Sequence, residues 1–446
     1  MPDSNRWSRT RPNQSQPGPR RLRGKSDEGA CLLTRELDSA LIGAALLVAL
    51  LGVIMIYSAG PQDDPAAYGG GDGPWRKQAI YGVVAVVLTM VVVFLPYKLL
   101  HSLAYVLYAV SLLSLIAVLL WGTGEQASRW LEVGPVRLQP AEFAKLAVII
   151  ALARYLGDLR AEEVSGPRAF CGAFLIAAVP LVLVARQPDL GTGMAFGAAL
   201  FPMLYWAGMR RAYIFCIISP MFSVIFSLEE LWQGVAPFVF AVFVVVSSIA
   251  IHFLLGRLWA TATMVVVNLS AGLITAYLWK NLLHDYQKER ILTFLDPESD
   301  RLRAGWNIIQ SKIAIGSGGV TGKGLLKGTQ TRFEFLPAAH TDFIFSVIGE
   351  ELGFVGAMAV LALFSFLVSR ALQIGYLAQS RFYSLLAIGL AALLAFHVFV
   401  NIGMAIGLMP VTGLPLPFLS YGGSSLLASF LGIGLLLHVY AYRHEY

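Results

Sequence analysis

The chain has 446 residues, of which 57% are hydrophobic and only 13% charged, with a formal net charge of +6 and a mean hydropathy of +0.67. So apolar a composition excludes an ordinary soluble domain and fits a polytopic membrane protein. Much of the positive balance lies near the N-terminus and gives no ground for a nucleic-acid partner. The three cysteines, Cys31, Cys171 and Cys216, fall on separate segments without disulfide or metal spacing.

The chain opens on a tail rich in Pro, Arg, Ser and Gly, too polar to build a core and without the apolar centre of a cleavable signal peptide. Residues 1–38 are expected to be a disordered cytoplasmic tail, its side set by Arg6, Arg9, Arg11, Arg20, Arg21 and Arg23 through the positive-inside bias. Apolar segments follow near 39–58, 78–97, 102–121, 141–157, 169–187, 190–208, 211–228, 236–255, 259–279, 341–369, 382–408 and 420–441. At roughly 20 residues per crossing they predict an all-α membrane protein with about 12 transmembrane helices. Counted alternately, the loops holding Arg154, Arg160 and Arg168, then Arg210 and Arg211, then Arg257, then Arg370 and Arg381, fall on the cytoplasmic side, as does Arg443. The loops at 59–77, 122–140, 186–190, 280–340 and 409–419 then face outward. The chain so divides into a first membrane part (39–279), a large extracellular loop (280–340) and a second membrane part (341–446).

Roughly 60 polar, glycine-rich and charged residues between Trp279 and Asp342 exceed any ordinary connection and read as a worksite. Lys288, Arg290, Arg301, Arg303, Lys312, Lys323, Lys327 and Arg332 make this outer loop basic, which suits an anionic ligand or, more blandly, anionic lipid headgroups. Ionisable residues in or beside the apolar segments are costly unless paired or facing a polar cavity. Glu142 and Lys145 lie three apart on one helix face and can neutralise each other. Asp342, Glu350 and Glu351 begin the helix after the loop, with Glu350 about 12 Å along it from Asp342, and they call for a cation from the loop or for Lys145. His284, His340 and His397 lack ligand spacing and read as structural or hydrogen-bonding residues. Two Pro/Gly turns, 186–193 and 410–425, break helices at the membrane edge, which is tolerated only beside protein or a water-filled cavity. An outward cavity roofed by the loop follows.

Five runs carry a family resemblance: Gln139 to Leu146 (QPAEFAKL), Gln187 to Thr192 (QPDLGT), Tyr286 to Gly324, Leu336 to Gly353 with HTDFIF and GEELG, and Gly413 to Ser425. In this order the chain resembles the SEDS family (shape, elongation, division and sporulation), membrane glycosyltransferases that polymerise lipid II into peptidoglycan. The runs LDPESD at 295–300 and QPDLGT at 187–192 are more similar to the RodA-like than to the FtsW-like branch. The family usually has ten spans. Here two extra apolar segments precede the large loop, and an even insertion leaves that loop on the same side.

The resemblance implies a SEDS-type helical bundle, with Asp300 matching the family's essential acid. Asp296 and Glu298 compete with it on composition alone. A carboxylate there would take the proton of an attacking sugar hydroxyl, while Arg301, Arg303, Lys312, Lys323 and Arg332 are candidates to steady the leaving pyrophosphate. The Gly316 to Gly319 run could offer amides to phosphate oxygens or simply form a flexible loop. Arg129 and Trp130 resemble a pair near the family's cavity, and Glu142 and Lys145 match charged positions lining it. Asp342, Glu350 and Ser420 are further substrate-binding candidates. Implied partners are lipid II and nascent lipid-linked glycan, a class B penicillin-binding protein that crosslinks, the elongation machinery and membrane lipid. The implied location is the bacterial inner membrane with both termini cytoplasmic. A divalent cation such as magnesium suits pyrophosphate chemistry, though no residue cluster specifies one. Two other classes fit a polar intramembrane cavity or a lipid-facing surface: a lipid II flippase or other transporter, with Glu142, Lys145 and Glu350 as a relay, and a scaffold for the transpeptidase.

Overall fold

The computed structural model describes residues 37–60, 73–123, 129–133, 136–160, 162–187, 189–228, 234–281, 288, 304–332 and 335–444. Most of the tail, and Asp296, Glu298, Asp300, Arg301 and Arg303, lie outside these residues. A helix stands at every predicted apolar segment, and the protein is a multi-pass membrane helical bundle. Nine helices of the described residues are long and apolar enough to cross a membrane.

One compact unit comprises residues up to Gly208, Ala314–Ile402 and Thr412–Tyr446. Its helices are α1 (Ser39–Ser58), α2 (Pro74–Val93), α3 (Tyr97–Trp121), α4 (Pro140–Asp158), α5 (Pro167–Ala185) and α6 (Leu190–Ala207). Their starts are written locally. Asp38 caps α1 by accepting from the Leu41 N–H at 3.1 Å, and prolines open α2, α4 and α5 where no intrahelical donor is needed. Between α3 and α4, strands β1 (Leu131–Val133) and β2 (Val136–Leu138) pair antiparallel, with Glu132 opposite Arg137 and ion-paired at 3.0 Å.

Past the large loop come α12 (Ile344–Leu377), α13 (Arg381–Ala405) and α14 (Gly423–Ala441). In the apolar windows of α13 and α14, 72% and 61% of residues are buried, against 17–33% for the other candidate spans, so the core lies around these helices and α4, whose residues 144 to 153 are buried throughout. Two approaches fix α14 against α2: Gly434 lies so close to Thr89 that a Cβ would sit 3.2 Å from its carbonyl, and the Thr89 hydroxyl donates to Phe430 O at 2.9 Å.

Helix α12 departs from the single rod expected over 341–369. It is two helices joined at Gly353, whose φ of 66° and ψ of −164° are open to glycine and costly for other residues. The first arm is buried nearly throughout, whereas Phe354 and Val355 at the start of the second are exposed. The break frees backbone groups that must be satisfied elsewhere. Residues 319–324 satisfy them: Lys323 N and Gly324 N donate to Glu350 O and Glu351 O at 3.0 and 2.9 Å, while Gly319 O and Val320 O accept from Phe354 N and Val355 N at 2.9 and 3.1 Å. The glycine run therefore splices a broken helix. Gly318 packs so tightly that a Cβ would lie 2.0 Å from Gly349 O.

A second unit, Met209–Ile313 with Gly403–Val411, holds α7 (Arg211–Phe226), α8 (Ala236–Leu255) and α9 (Leu258–Asn281). Two short helices, α10 (Ala304–Ser317) and α11 (Thr329–Arg332), occupy the large loop.

Candidate active site

Arg129, Trp130, Glu142, Lys145, Lys323, Asp342, Glu350 and Ser420 lie in or beside three polar clusters of the first unit. The deepest lies on α4 and α13. Pro140 starts α4, so Glu142 falls in its first turn and Lys145 one turn on, both facing α13. Lys145 Nζ stands 2.8 Å from Glu142 Oε1 and 2.8 Å from His397 Nε2. Nδ1 of His397 is 2.8 Å from Leu393 O, an acceptor only, so Nδ1 carries the proton and Nε2 accepts from the ammonium. Lys145 and Glu142 are 2% and 5% exposed, so the pair is desolvated and each charge depends on the other. The cluster heads a groove walled by Leu146, Leu390, Leu394, Phe418 and Ile433. An apolar wall beside a neutralised cation suits a hydrocarbon carrying a polar head.

The second cluster surrounds the Pro/Gly turns. Asp189 caps α6, accepting from Thr192 N at 3.3 Å and Thr192 Oγ1 at 3.0 Å, and also receives Gln139 Nε2 at 3.3 Å, with Arg129 Nε 4.0 Å away. Trp130 pairs its backbone with Thr123 beside this group and keeps its side chain partly exposed. Gln139 N donates to Ser424 Oγ at 3.0 Å. From α2, Gln78 brackets the other turn, donating to Ser420 O at 3.1 Å and accepting from Gly422 N at 3.2 Å. The Ser420 hydroxyl accepts from Leu416 N at 2.8 Å. On α13, Asn401 donates to Asp342 O at 3.0 Å and Leu414 O at 2.8 Å, tying the approach to α12 to the 412–414 turn. Asp342 itself lies in that approach, two residues ahead of α12. His340, whose carbonyl accepts from Tyr421 N at 2.9 Å, is held below the usual imidazole range by burial, and burial pushes the Tyr421 phenol up.

The third cluster joins the large loop to α12. Glu350 is fully buried and accepts from Lys323 Nζ at 2.6 Å, Thr329 N at 2.8 Å, Thr329 Oγ1 at 2.9 Å and Gln330 N at 3.2 Å. Its cation thus comes from the loop and Lys145 serves Glu142. Glu351 accepts from Ser58 Oγ, 2.6 Å from Oε1, and the same hydroxyl accepts from Leu326 N at 3.0 Å. The non-glycine residues of left-handed backbone among those described, Leu326, Ala338 and Phe418, all lie in turns around these clusters. Such strain persists where the surrounding contacts over-determine it.

Of the remaining basic candidates, Lys312 is exposed on α10 with its side chain over Gly407, and Arg332 is exposed at the end of α11. Asp300, Arg301 and Arg303 lie outside the described residues. Among the described residues no group of three His, Cys, Asp or Glu could hold a metal ion. Sequence reasoning passed over His397 and Asn401 as site residues. The available signal was their spacing, four apart in one apolar segment and so on one helix face.

The sequence matches the family described as "Cell cycle protein" (FtsW, RodA, SpoVE) over residues 38–235 and 235–445. The chain belongs to this family. Similarity to its members spans nearly the whole chain. The peptidoglycan glycosyltransferase MrdB of Escherichia coli (strain K12) is 36% identical over 409 residues, covering 91% of this chain and 94% of that one. The peptidoglycan glycosyltransferase RodA of Treponema pallidum (strain Nichols) is 35% identical over 445 residues, covering 94% and 99%. Among solved structures, a chain from a peptidoglycan synthase complex, studied for the coordination of polymerization and crosslinking, superposes with a TM-score of 0.67 at 28% identity over 92% of this chain and 99% of that one. For this FtsW/RodA/SpoVE-family protein, the two matched blocks meet at residue 235, between α7 and α8.

Proposed function

We propose that this chain polymerises lipid II into glycan strands during cell elongation, with Asp300 as general base. The observation that carries the reading is similarity over nine-tenths of the chain to proteins named peptidoglycan glycosyltransferase. In the step proposed, the oxygen of a sugar hydroxyl on one lipid-linked saccharide attacks the anomeric carbon of another. Its proton passes to the Asp300 carboxylate, the bond from the anomeric carbon to the pyrophosphate oxygen breaks, and polyprenyl pyrophosphate leaves. Arg301, Arg303 and Lys312 serve the developing negative charge, and Arg129 and Trp130 face the saccharides. The apolar groove beside Glu142, Lys145 and His397 accepts isoprenoid, so the tail need not leave a hydrocarbon environment. Lys323 and Glu350 act together, holding the loop to the α12 break, while Ser420 and Asp342 shape the cavity wall. A divalent cation such as magnesium would suit the pyrophosphate chemistry, no residue cluster specifies its ligands, and no step here runs through it.

A class B penicillin-binding protein is the partner this reading implies, with the chain in the bacterial inner membrane and both termini in the cytoplasm. The deciding experiment measures glycan formation from labelled lipid II by the purified chain with that transpeptidase, its crosslinking blocked. Asp300→Asn is expected to lower the rate by about 100-fold or more while leaving thermal stability unchanged. Equal polymer from both chains moves the base to Asp296 or Glu298. Absence of polymer from a folded, active complex favours a transporter centred on Glu142 and Lys145.

A further inference from the structure

The second unit carries a crevice that the polymerase reading leaves unused. It lies between α7 and α8 and is lined by Ile214, Phe215, Ile218, Phe222, Phe243 and Leu254, with Arg211 among the lining residues. Because Arg211 begins α7 and Leu254 ends α8, the two helices run antiparallel and these termini are neighbours. Arg210 precedes α7, and Arg257 follows α8 by way of Gly256, whose φ of 63° turns the chain into α9. Three arginines so fall at the same ends of α7 and α8, and of these Arg211 lines the crevice.

Among the described residues of this unit nothing neutralises them. Arg210, Arg211 and Arg257 have no side-chain hydrogen bond or ion pair among the described residues, and no described residue of the unit is acidic. In sequence, the nearest acids of the unit, Glu229, Glu230 and Asp285, belong to the connections at the opposite helix ends. Trp259, 66% exposed two residues beyond Arg257, is placed as an interfacial tryptophan would be, at the level of lipid headgroups. The crevice is also preformed. Ser219 Oγ donates to Asn268 Oδ1 at 3.1 Å, and Asn268 Nδ2 to Ser247 Oγ at 3.4 Å, pinning α7, α9 and α8 together through one buried node. Phe226 of α7 and Phe243 of α8 meet with ring centroids 4.9 Å apart and planes tilted by 37°.

We propose that this crevice is a binding site for one anionic phospholipid, its phosphate held by Arg210, Arg211 and Arg257 and one acyl chain lying along α7 and α8. Guanidinium groups give phosphate oxygens paired, charge-assisted hydrogen bonds, and the apolar walls match an acyl chain in character. The excess of positive charge favours an anionic over a zwitterionic headgroup.

The test is native mass spectrometry of the full-length protein released from neutral detergent with phosphatidylglycerol or phosphatidylcholine added. The native chain is expected to retain one phosphatidylglycerol in preference to phosphatidylcholine. With each basic residue near an anionic headgroup contributing about one kcal/mol, R210Q/R211Q/R257Q should weaken retention on the order of 100-fold. Ile218→Trp, which fills the crevice with all three arginines intact, should also abolish selective retention, and Leu254→Trp from the opposite wall replaces it should the first variant not fold. Equal retention of the two lipids, a preference that survives the triple substitution, or retention unaffected by a folded crevice-filling variant would each overturn the proposal.

Discussion

Lys145 is the residue on which most depends. Its ammonium meets a carboxylate and an imidazole in a buried site, so removing it strands Glu142 without a counter-charge. Lys145→Met is expected to lower stability by about 3–5 kcal/mol, the cost of breaking a buried ion pair. The double change Glu142→Gln with Lys145→Met should recover most of that, because both charges then vanish together. Thermal unfolding in lipid nanodiscs followed by tryptophan fluorescence measures both, and polymer formation by the recovered double variant tells whether the pair also takes part in turnover. His340 supports a prediction of opposite chemistry. Its imidazole is held below its ordinary value by burial, so the folded protein binds fewer protons there than the unfolded chain. The stability it confers is fully present above the unfolded value near 6.5 and is lost as pH falls from there through the folded value. His340→Gln should flatten the fall in melting temperature between about pH 7 and pH 5; an unchanged slope would locate the acid sensitivity elsewhere.

At the level of elements, the splice at Gly353 separates two glycines that look alike in sequence. A Cβ on Gly318 would sit 2.0 Å from Gly349 O, and nothing lies within 4 Å of one on Gly316. Gly318→Ala is therefore expected to destabilise the protein strongly and abolish activity, and Gly316→Ala, inside α10, to be neutral or stabilising by about 0.5–1 kcal/mol. Comparing their melting temperatures checks both. This contrast marks what could be read from the sequence. Helix positions were legible because a bilayer demands long apolar runs, and Glu142 with Lys145 because a spacing of three puts two side chains on one helix face. The apolar segment from 78 starts four residues after α2 does, because Arg76 and Lys77 interrupt the apolar run although the helix opens at Pro74; Gln78, buried, serves Ser420 and Gly422 from within the helix. The partners of Glu350 and Glu351 were not legible either. Lys323 and Ser58 lie 27 and 293 residues away, and only the fold selects them from the other cations and hydroxyls.

For the whole molecule, alternation of twelve helices makes a statement about sidedness that does not depend on the chemistry. A single cysteine at Lys288 in a background without Cys31, Cys171 and Cys216 is expected to react with a membrane-impermeant maleimide from outside intact cells. One at Arg257 should react only after permeabilisation. Reaction of both from the same side would mean that α9 does not cross. The helix break at Gly353 bears on ancestry as well as on stability. The large loop cannot travel between family members as a free cassette, since its residues 319–324 complete the hydrogen bonding of α12 and its Lys323 and Leu326 answer to Glu350 and to Ser58 on α1. Chimaeras joined at either flank of the loop should fail unless those distant positions are transferred with it, so the polar loop and the apolar helices beside it are bound to be inherited together.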